Sequence, residues 1–433
     1  MAYRFLIGTM PIPGHVAPFA PVARELLSRG HEVVWYSSQY YRDSIERTGA
    51  RFEPIRSTVD YGDSEYNRHF PGRARLSGLK QLVFDFEHLF VHSTHGMIQD
   101  LRAILKGYPA DVLLGDPAVA ATRILGDTDG LPAATLNITV VSFQSRDLAA
   151  FGLGLPFNAS SIGRLRNKAS YFLVDHVLFR GVNRTYRTLA RQHGWPIQPF
   201  RPSVSPYLQM QSLVPGFEYP ISDLPQQVHF IGALMPDAPK QFTPPSWWDQ
   251  VIHGTRPIVL ATQGTIATNV DELIRPTLQA LAAEDVWVIA TTGGKPVAEL
   301  GLEIPSNAFV VPFIPFVTVM PHVDLYITNG GYGGVTVALA NGVPIVSAGT
   351  TEDKPEVGNR IAYSGVGIDL RTHRPTVEQV RAACREVLGK PAYRARAQTL
   401  QHDLAQHDAP AEAADLLERL ARTRQPVLRT TLR

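Results

Sequence analysis

The stretch DLYITNGGYGGVTVALANGVPIVSAGTTEDKPEVGNRIAYSGVGIDL, residues 324–370, organises this chain. A short apolar run at 325–328 is typical of a β-strand, and four glycines follow it: Gly330, Gly331, Gly333 and Gly334. The pattern then predicts a helix over 335–340 and a second strand over 343–347. Glycine lets the backbone come close to a ligand, and the first N–H groups of a helix attract anions. The stretch therefore predicts either a phosphate site or a tight turn between strand and helix.

Short apolar runs alternate with helical patterns on both sides of this stretch. In the first half the predicted strands span 5–9, 32–37, 51–55, 111–115, 133–137, 207–214 and 228–234. In the second half they span 258–261, 286–291, 309–311, 325–328 and 345–346. Strands connected by helices form parallel sheets, so the chain is predicted to be α/β with two doubly wound domains. A proline-rich connector at 235–245 separates the halves, and ligands of such folds bind at the carboxyl ends of the strands.

The length and composition limit the classes to which the protein could belong. Its 433 residues are too many for one hydrophobic core and fit two domains. With 41 basic and 39 acidic side chains, the net charge of +2 gives no footprint for nucleic acid or an anionic membrane. No apolar run approaches the ~20 residues that a membrane span needs, and the N-terminus lacks a signal-peptide pattern. The single Cys384 excludes an internal disulfide, and a cytoplasmic protein is expected.

The opening stretch and its flanks resemble the C-terminal signature of the family 1 nucleotide-sugar glycosyltransferases, in particular their bacterial macrolide and antibiotic branch. The corresponding segments stand in the family's order and spacing: Phe313-Ile314-Pro315-Phe316, Thr328-Asn329-Gly330-Gly331, Gly342-Val343-Pro344, Asp353-Lys354 in place of the family's Asp-Gln, and Gly365-Val366-Gly367. In the first half, Gly14-His15 matches another motif of the family. The resemblance covers nearly the whole chain, and it is specific at Gly14-His15 and over 258–370.

The resemblance implies the GT-B fold, in which two Rossmann-like doubly wound domains face each other across a cleft. Residues 1–235 would bind the acceptor and residues 236–433 the donor, with a last helix near 410–423 packing back on the first domain. It also implies an inverting, metal-independent transfer of a hexose from a UDP- or dTDP-sugar to a hydroxyl of a small hydrophobic acceptor such as an antibiotic. The nucleotide sugar is a co-substrate, so no cofactor is expected, and the enzyme is expected to be a monomer or homodimer.

Glycosyl transfer needs a base, because a neutral alcohol is a poor nucleophile near neutral pH. His15 follows the first predicted strand at a turn into a helix, and the resemblance implies that it is this base. Its implied partner is Asp116, which follows the strand at 111–115 and would orient the imidazole and stabilise the imidazolium. Asp111 is a competing partner, but it precedes that strand and is expected at its far end.

The resemblance also implies a donor site built from the glycine stretch and three further segments. Its predicted residues are Gly264, Thr265, Phe313, Ile314, Asn329, Gly330, Gly331, Gly333, Gly334, Asp353 and Lys354. Thr265 would donate hydrogen bonds to a phosphate, and Phe313 stands where the family stacks a tryptophan on the nucleotide base. Asp353 and Lys354 would contact hydroxyl groups of the sugar. The identity of the base and the sugar stays open.

Two segments interrupt the alternation of strands and helices, at 61–96 and 143–201. Such insertions tend to form substrate walls or lids in these folds, although loop and helix packing under the sheet explains any one of their residues at least as well. The predicted acceptor-binding residues are Phe70, Phe84, Phe90, Phe143 and Phe151. The histidines of the first insertion lack the spacing of a zinc site. Asp127-Thr128-Asp129 spells a metal-binding DxD, but a turn before the strand at 133–137 explains it better.

Three other functions compete with that of a transferase. Asn329 replaces the family's usual histidine and carries no charge, and Phe316 replaces a glutamine that contacts the base. These departures favour a non-catalytic nucleotide-sugar-binding helper of a partner transferase, whereas His15 and Asp116 argue against it. A nucleotide-sugar 2-epimerase of the same fold would need more acidic and histidine residues around the donor sugar. A dinucleotide oxidoreductase is weaker still, because no GxGxxG follows either first strand.

Overall fold

The computed structural model describes residues 1–76, 78–239, 241–264 and 269–429, and their strands form two sheets. The first sheet contains β1 (Arg4–Gly8), β2 (Glu32–Ser37), β3 (Arg51–Pro54), β4 (Val112–Gly115), β5 (Ala133–Asn137), β6 (Leu208–Gln211) and β7 (Val228–Phe230). The second contains β8 (Ile258–Thr262), β9 (Trp287–Thr291), β10 (Ala308–Val311), β11 (Leu325–Thr328), β12 (Ile345–Ser347) and β13 (Gly367–Asp369).

The strand orders are β3-β2-β1-β4-β5-β6-β7 and β10-β9-β8-β11-β12-β13, and every ladder is parallel. In each sheet the order reverses beside the first strand of that half, which is the switch point where doubly wound folds bind ligands. The predicted α/β class with two doubly wound sheets is therefore confirmed. The boundary at 235/236 falls between β7 and β8 and stays a prediction.

Helices cover both faces of the two sheets. Those of the first half are α1 (Pro13–Val16), α2 (Phe19–Ser28), α3 (Arg42–Glu46), α4 (Tyr66–His69), α5 (Gly78–Asp85), α6 (His92–Gly107), α7 (Ala120–Asp129), α8 (Ser161–Leu173) and α9 (Arg180–His193). Those of the second half are α10 (Trp248–Ile252), α11 (Ile274–Leu281), α12 (Phe316–Val319), α13 (Tyr332–Ala340), α14 (Lys354–Ser364), α15 (Val377–Gly389), α16 (Pro391–Leu404) and α17 (Ala409–Thr423). Two π-helical segments, Phe86–Val91 and Val174–Leu178, continue α5 and α8.

The central strands are apolar on both faces because helices cover both. All residues of β4, β8 and β11 are buried, as is typical of parallel sheets. The short edge strand β13 was not predicted, because its three residues carry too little apolar pattern to be recognised. Gly367 begins it, and a side chain there would collide with the carbonyl group of Ile345 on β12.

Two helices begin or break at places that the sequence pattern missed. The first predicted helix is divided into α1 and α2, because Pro18 has no N–H to continue the hydrogen-bond ladder. The helix after the glycine stretch begins at Tyr332 instead of at residue 335, so Gly333 and Gly334 lie in its first turn. A side chain at Gly334 would collide with the hydroxyl of Tyr326, which explains why glycine is required there.

The DxD-like triplet is not in the turn that the sequence predicts. Asp127 to Asp129 form the last turn of α7, and Gly130 ends the helix with a φ of +69°. The carboxylate of Asp129 pairs with the guanidinium of Arg102 at 2.7 Å. The triplet therefore belongs to a helix end whose last carboxylate already has a cationic partner.

The last helix, α17, packs on the first sheet domain. Its side chains Ala413, Leu417 and Leu420 share one buried cluster with Phe5 of β1 and Leu26 of α2. The crossing of the C-terminal helix to the first domain is thus confirmed. Among the helices that the structure describes, none combines the length and the hydropathy that a bilayer span requires.

Candidate active site

His15 lies at the carboxyl end of β1, in the short helix α1. Its side chain is 23% exposed, and its Nδ1 atom is 3.2 Å from Oδ1 of Asp116. The side chain of Asp116, directly after β4, is completely buried. Its two oxygens accept hydrogen bonds from the main-chain N–H groups of Ala118 and Met10, each at 2.7 Å. The carboxylate is therefore fixed in place before it meets the imidazole.

The contact between His15 and Asp116 is a close approach of the two side chains and not an aligned hydrogen bond, because Nδ1 has no partner within normal angular limits. Burial lowers the pKa of His15, but the carboxylate of Asp116 outweighs it, with help from Asp353 and Glu352, so the net pKa is raised above 6.5. Asp111, the competing partner, bonds to the N–H of Arg4 at the opposite end of β1.

Two turns from the second sheet meet on the donor side. Gly264 (φ +75°) and Gly330 (φ +90°) adopt left-handed conformations, which only glycine accepts without strain. The amide nitrogen of Asn329 donates to the carbonyl oxygen of Gln263 at 2.5 Å and so ties one turn to the other. In this position the side-chain amide of Asn329 stabilises the two glycine turns relative to each other. The free N–H groups of the first turn of α13, which carry the positive end of the helix, are left to meet an anion.

The other predicted donor residues differ in their positions. The ring of Phe313 is 70% exposed, so a planar base could stack on it. Ile314 is only 1% exposed and its side chain points into the core, so the main chain is the part of Ile314 that is left to contact a donor, and its role in donor binding stays a prediction. Phe316 begins α12 and packs against Tyr326, with ring centroids 6.0 Å apart. Thr265 lies outside the described residues.

Asp353 reaches across the cleft between the two sheets. Its carboxylate accepts a hydrogen bond from the hydroxyl of Thr139, which follows β5 in the first half. Burial raises the pKa of Asp353 above its ordinary value. The ammonium of Lys354 is buried and pairs with Glu352, while it also donates to Thr351 at 3.2 Å. Sequence reasoning missed Thr139 and Glu352, because neither stands in a motif.

The predicted acceptor residues divide into two groups. Phe143 and Phe151 line a cavity under the second insertion, together with other aromatic side chains: Phe86, Phe157, Tyr171, Phe179, Phe200 and Tyr219. Phe70, Phe84 and Phe90 do not line it; they are half-buried and pack against Tyr61, His88 and Phe86, respectively. His15 is not part of the cavity wall, which includes Val141, two residues beyond Thr139. The cavity is therefore separate from the cleft in which His15 lies, and it is located beside that cleft.

A buried ion pair that no motif indicates connects the two halves. The guanidinium of Arg360 on α14 lies 2.5 Å from the carboxylate of Glu218, and both side chains are at most 2% exposed. Arg360 also lies 4.3 Å above the ring of Tyr219 and donates to the carbonyl oxygen of Val141 at 3.0 Å. One turn earlier on α14, Glu356 accepts from two N–H groups of the second insertion. Helix α14 thus joins the Asp353 loop to the cavity wall.

These contacts define what the site can do chemically. An imidazole supported by a carboxylate can accept a proton, and glycine turns with a helix N-terminus can hold a diphosphate. The imidazole–carboxylate pair and the glycine turns lie at the facing carboxyl ends of the two sheets. Among the described residues, no group of three or more His, Cys, Asp or Glu side chains could hold a metal ion. The site suits a reaction between a phosphorylated donor and a group that loses a proton.

Residues 275–420 match the family described as the erythromycin biosynthesis protein CIII-like C-terminal domain. The chain is 42% identical to 4'-demethylrebeccamycin synthase of Lentzea aerocolonigenes, over 97% of this chain and 100% of that protein. It is 34% identical to UDP-glycosyltransferase 2 of Phaeomoniella chlamydospora, over 96% and 95%. The structure of CalG4, the calicheamicin glycosyltransferase, superposes with a TM-score of 0.74 at 21% identity, over 98% and 100% of the two chains. This last likeness shows the fold.

Proposed function

Because the chain belongs to the family 1 nucleotide-sugar glycosyltransferases of the antibiotic and natural-product type, we propose that it is an inverting, metal-independent hexosyltransferase. Its donor is a UDP- or dTDP-sugar, and its acceptor is a hydroxyl of a small hydrophobic molecule. The observation that carries this proposal is the pair of His15 and the buried Asp116, on the first sheet, opposite the glycine turns of the second.

The reaction is a single displacement at the anomeric carbon. The second ring nitrogen of His15, which has no hydrogen-bond partner among the described residues, takes the proton of the acceptor hydroxyl. The oxygen then forms a bond to the anomeric carbon, and the bond from that carbon to the diphosphate oxygen breaks with its electron pair. Asp116 stabilises the resulting imidazolium. One displacement through an oxocarbenium-like state inverts the anomeric configuration, and no side chain is needed as a nucleophile.

The departing nucleoside diphosphate is stabilised by the first-turn N–H groups of α13 and by the turn at Gly264. These groups supply fixed positive ends of dipoles, so the proposal needs no metal ion or other cofactor. The exposed ring of Phe313 provides a stacking surface for uracil or thymine. The name of UDP-glycosyltransferase 2 supports a UDP-sugar, and the structure of the spinosyn rhamnosyltransferase SpnG complexed with thymidine diphosphate, which shares this fold, supports a dTDP-sugar.

The aromatic cavity beside the cleft supports an apolar acceptor. Its wall is dominated by aromatic rings, and its polar groups are largely paired with one another, as Arg201 is with Asp175 at 2.9 Å. Burial of a large apolar molecule against such a wall gains about 25 cal/mol per Å² of apolar surface. The acceptor would place its body in this cavity and extend its hydroxyl toward His15. Phe143 and Phe151 are the predicted acceptor residues that this arrangement uses.

The deciding experiment uses the purified full chain with α-linked UDP- and dTDP-hexoses and a panel of polycyclic aromatic alcohols and phenols. Products are detected by mass, and the anomeric configuration is read from the proton coupling constant. We expect a β-glycoside and release of the nucleoside diphosphate. An α-glycoside would reject the inverting mechanism. Donor turnover without any glycoside, but with an epimerised sugar, would reject the transferase proposal.

A further inference from the structure

Basic charge is concentrated in residues 161–193, which form α8, the π segment Val174–Leu178 and α9. The segment contains seven basic residues: Arg164, Arg166, Lys168, Arg180, Arg184, Arg187 and Arg191. Its only acidic residue, Asp175, pairs with Arg201 and lines the aromatic cavity on the inner side. The whole chain has a net charge of only +2, so the overall balance hides this local excess.

The same segment exposes an unusual amount of apolar surface. Among the described residues, thirteen large apolar side chains are exposed, and five of them fall here: Ile162 (81%), Leu165 (68%), Phe172 (65%), Leu173 (42%) and Val177 (58%). Helical spacing places Leu165 and Phe172 on one side of α8, with the exposed Lys168 between them. Apolar and cationic side chains therefore share the outer side of this helix.

On α9 the cations continue without the apolar side chains. Arg180, Arg184, Arg187 and Arg191 recur every three or four residues and are all exposed. The opposite side of α9, with Val182, Asn183, Tyr186 and Ala190, is buried. Within the described part of the chain, no carboxylate lies within ion-pair distance of these four guanidinium groups, so their charge is available to a partner.

We propose that the outer surface of residues 161–193, hereafter the α8–α9 surface, docks on an anionic lipid bilayer. A helix with exposed aliphatic and aromatic side chains beside arginines is suited to lie in the interface plane. The apolar side chains enter the boundary between headgroups and acyl chains, while the guanidinium groups pair with lipid phosphates. The exposed apolar side chains favour a lipid phosphate over a free phosphate ion. A free ion would pair with the arginines but leave the apolar side chains in water.

Two other occupants fit the α8–α9 surface less well. A second copy of this chain, related by a two-fold axis, would bring the same surface against itself and oppose one row of arginines to another. An acidic protein would match the charge. Protein partners, however, usually fill a recess with a few anchor side chains, whereas here the apolar residues project from the outer side of one helix. A bilayer accommodates such projecting side chains without a shaped pocket.

Docking in this orientation has a consequence for the acceptor. The inner side of the segment, with Tyr171, Val174 and Phe179, forms part of the wall of the aromatic cavity. A bilayer bound on the outer side would therefore lie next to the chamber that receives an apolar molecule. Apolar acceptors partition into membranes, so the enzyme would collect its acceptor where that acceptor is concentrated. This consequence depends on the proposed function, whereas the docking itself does not.

The test is co-sedimentation of the full chain with vesicles at low ionic strength. One set contains phosphatidylcholine and phosphatidylglycerol in equal parts, and the other contains phosphatidylcholine alone. We expect binding to the first set, weak binding to the second, and release by salt. Each arginine near an anionic surface strengthens binding about fivefold, so the pair Arg184→Gln and Arg191→Gln should weaken it roughly thirtyfold. The pair Leu165→Ser and Phe172→Ser should also weaken it, with no change in Tm.

Matched controls are Arg422→Gln and Ile304→Ser, which replace an exposed arginine and an exposed isoleucine elsewhere in the chain. Both should bind vesicles as the wild type does. Equal binding to the two vesicle sets, no binding to either, or binding that survives both pairs of substitutions would overturn the proposal. If the chain ignores vesicles but binds polyglutamate through Arg184 and Arg191, the partner is an acidic protein and the bilayer proposal is wrong.

Discussion

Nδ1 of His15 lies 3.2 Å from Oδ1 of Asp116, at the carboxyl ends of the neighbouring strands β1 and β4. Main-chain N–H groups hold both oxygens of the carboxylate, so the aspartate is a rigid support for the imidazole. The histidine is partly exposed toward the cleft, and it is the only one of the two that a substrate could reach. The first two predictions follow from this asymmetry.

Replacement of the base should abolish turnover and spare the donor. His15→Ala should lower kcat/KM for an aliphatic alcohol acceptor by about 10²–10⁴-fold. Donor affinity should be unchanged, because the glycine turns belong to the other sheet. Asp116→Asn should cost less, since the imidazole remains. A phenol acceptor, which ionises more easily, should lose less activity in His15→Ala than the alcohol does. Near wild-type turnover of the alcohol by His15→Ala would make His15 a structural residue.

The pH dependence of kcat/KM should report the raised pKa of His15. The base must be neutral to accept a proton, so activity falls as the pH drops through that pKa. Burial lowers the pKa of His15, but the carboxylates of Asp116, Asp353 and Glu352 together raise it by more, so the acidic limb of the wild type should lie above pH 6.5. Asp116→Asn removes the main raising influence and should move the limb to lower pH while the plateau falls. Asp353→Asn should move it in the same direction by less. If the acidic limb of the kcat/KM profile does not move in Asp116→Asn, that limb reports the titration of a group other than His15.

Two glycines of the α13 turn should separate binding from stability. Gly331 has an ordinary φ of −61°, and the nearest atom to an added methyl group, Oδ1 of Asn329, is 3.8 Å away. Gly331→Val should therefore keep the Tm but block UDP and dTDP binding, because its side chain enters the phosphate path. Gly334→Ala should lower the Tm, because its methyl group meets the hydroxyl of Tyr326. Calorimetric titration and thermal unfolding distinguish the two. Normal nucleotide binding by Gly331→Val would mean that the phosphates bind elsewhere.

The buried pair of Arg360 and Glu218 should be costly to break from one side. Arg360→Met leaves a carboxylate buried without its cation and should lower the free energy of unfolding by about 3–5 kcal/mol. The double variant Arg360→Met with Glu218→Gln should recover part of that loss, because the carboxylate of Glu218 is then gone, while Glu356, 3.5 Å from Arg360, still lacks its cation. Arg385→Met is the matched control, since Arg385 is 65% exposed in its pair with Glu284 and its loss should leave the stability almost unchanged. Urea denaturation measures all three. A double variant less stable than the single one would show that packing, and not charge, holds the halves together.

Removal of divalent metals should leave turnover unchanged. The proposed leaving-group stabilisation uses backbone N–H groups and a helix N-terminus, which EDTA does not affect. Initial rates are measured with and without EDTA, after exhaustive dialysis, for the best donor. Loss of activity that magnesium or manganese restores would require a metal-bound diphosphate. The variant Asp129→Asn would then test whether the DxD-like triplet takes part, although its pairing with Arg102 argues against this.

Local patterns in the sequence determined the elements of this protein. Period-two and apolar runs located twelve of the thirteen strands in the described part of the chain, and the glycines after β11 indicated the turn that opens a helix. The placement of His15 and Asp116 at strand ends followed from the same patterns, because residues after parallel strands meet at one edge of a sheet. The family signature added the fold and the enzyme class, and these are confirmed. The transferase class also excludes the non-catalytic helper that Asn329 and Phe316 had suggested.

Tertiary structure alone decided which side chains meet between elements. Ile314 stands in the family signature, yet its side chain is buried. A motif position does not reveal which way a side chain points, so the sequence could not show this. The rings of Phe70, Phe84 and Phe90 pack against other side chains of the first insertion, whereas Phe143 and Phe151 line a cavity. The sequence could not distinguish these five phenylalanines, since the composition of an insertion does not show which of its side chains face a cavity.

The contacts between the two halves could not be predicted for a related reason. Thr139 meets Asp353, and Glu218 meets Arg360, across large separations in sequence and between different sheets. Such contacts depend on how two rigid domains pack, which no short-range periodicity encodes. The same holds for the α8–α9 surface, where net charge over the whole chain concealed a local excess that the burial of its inner side reveals. The sequence determined the strands, the helices and the residue types of the candidate site, and tertiary packing decided which side chains face a ligand.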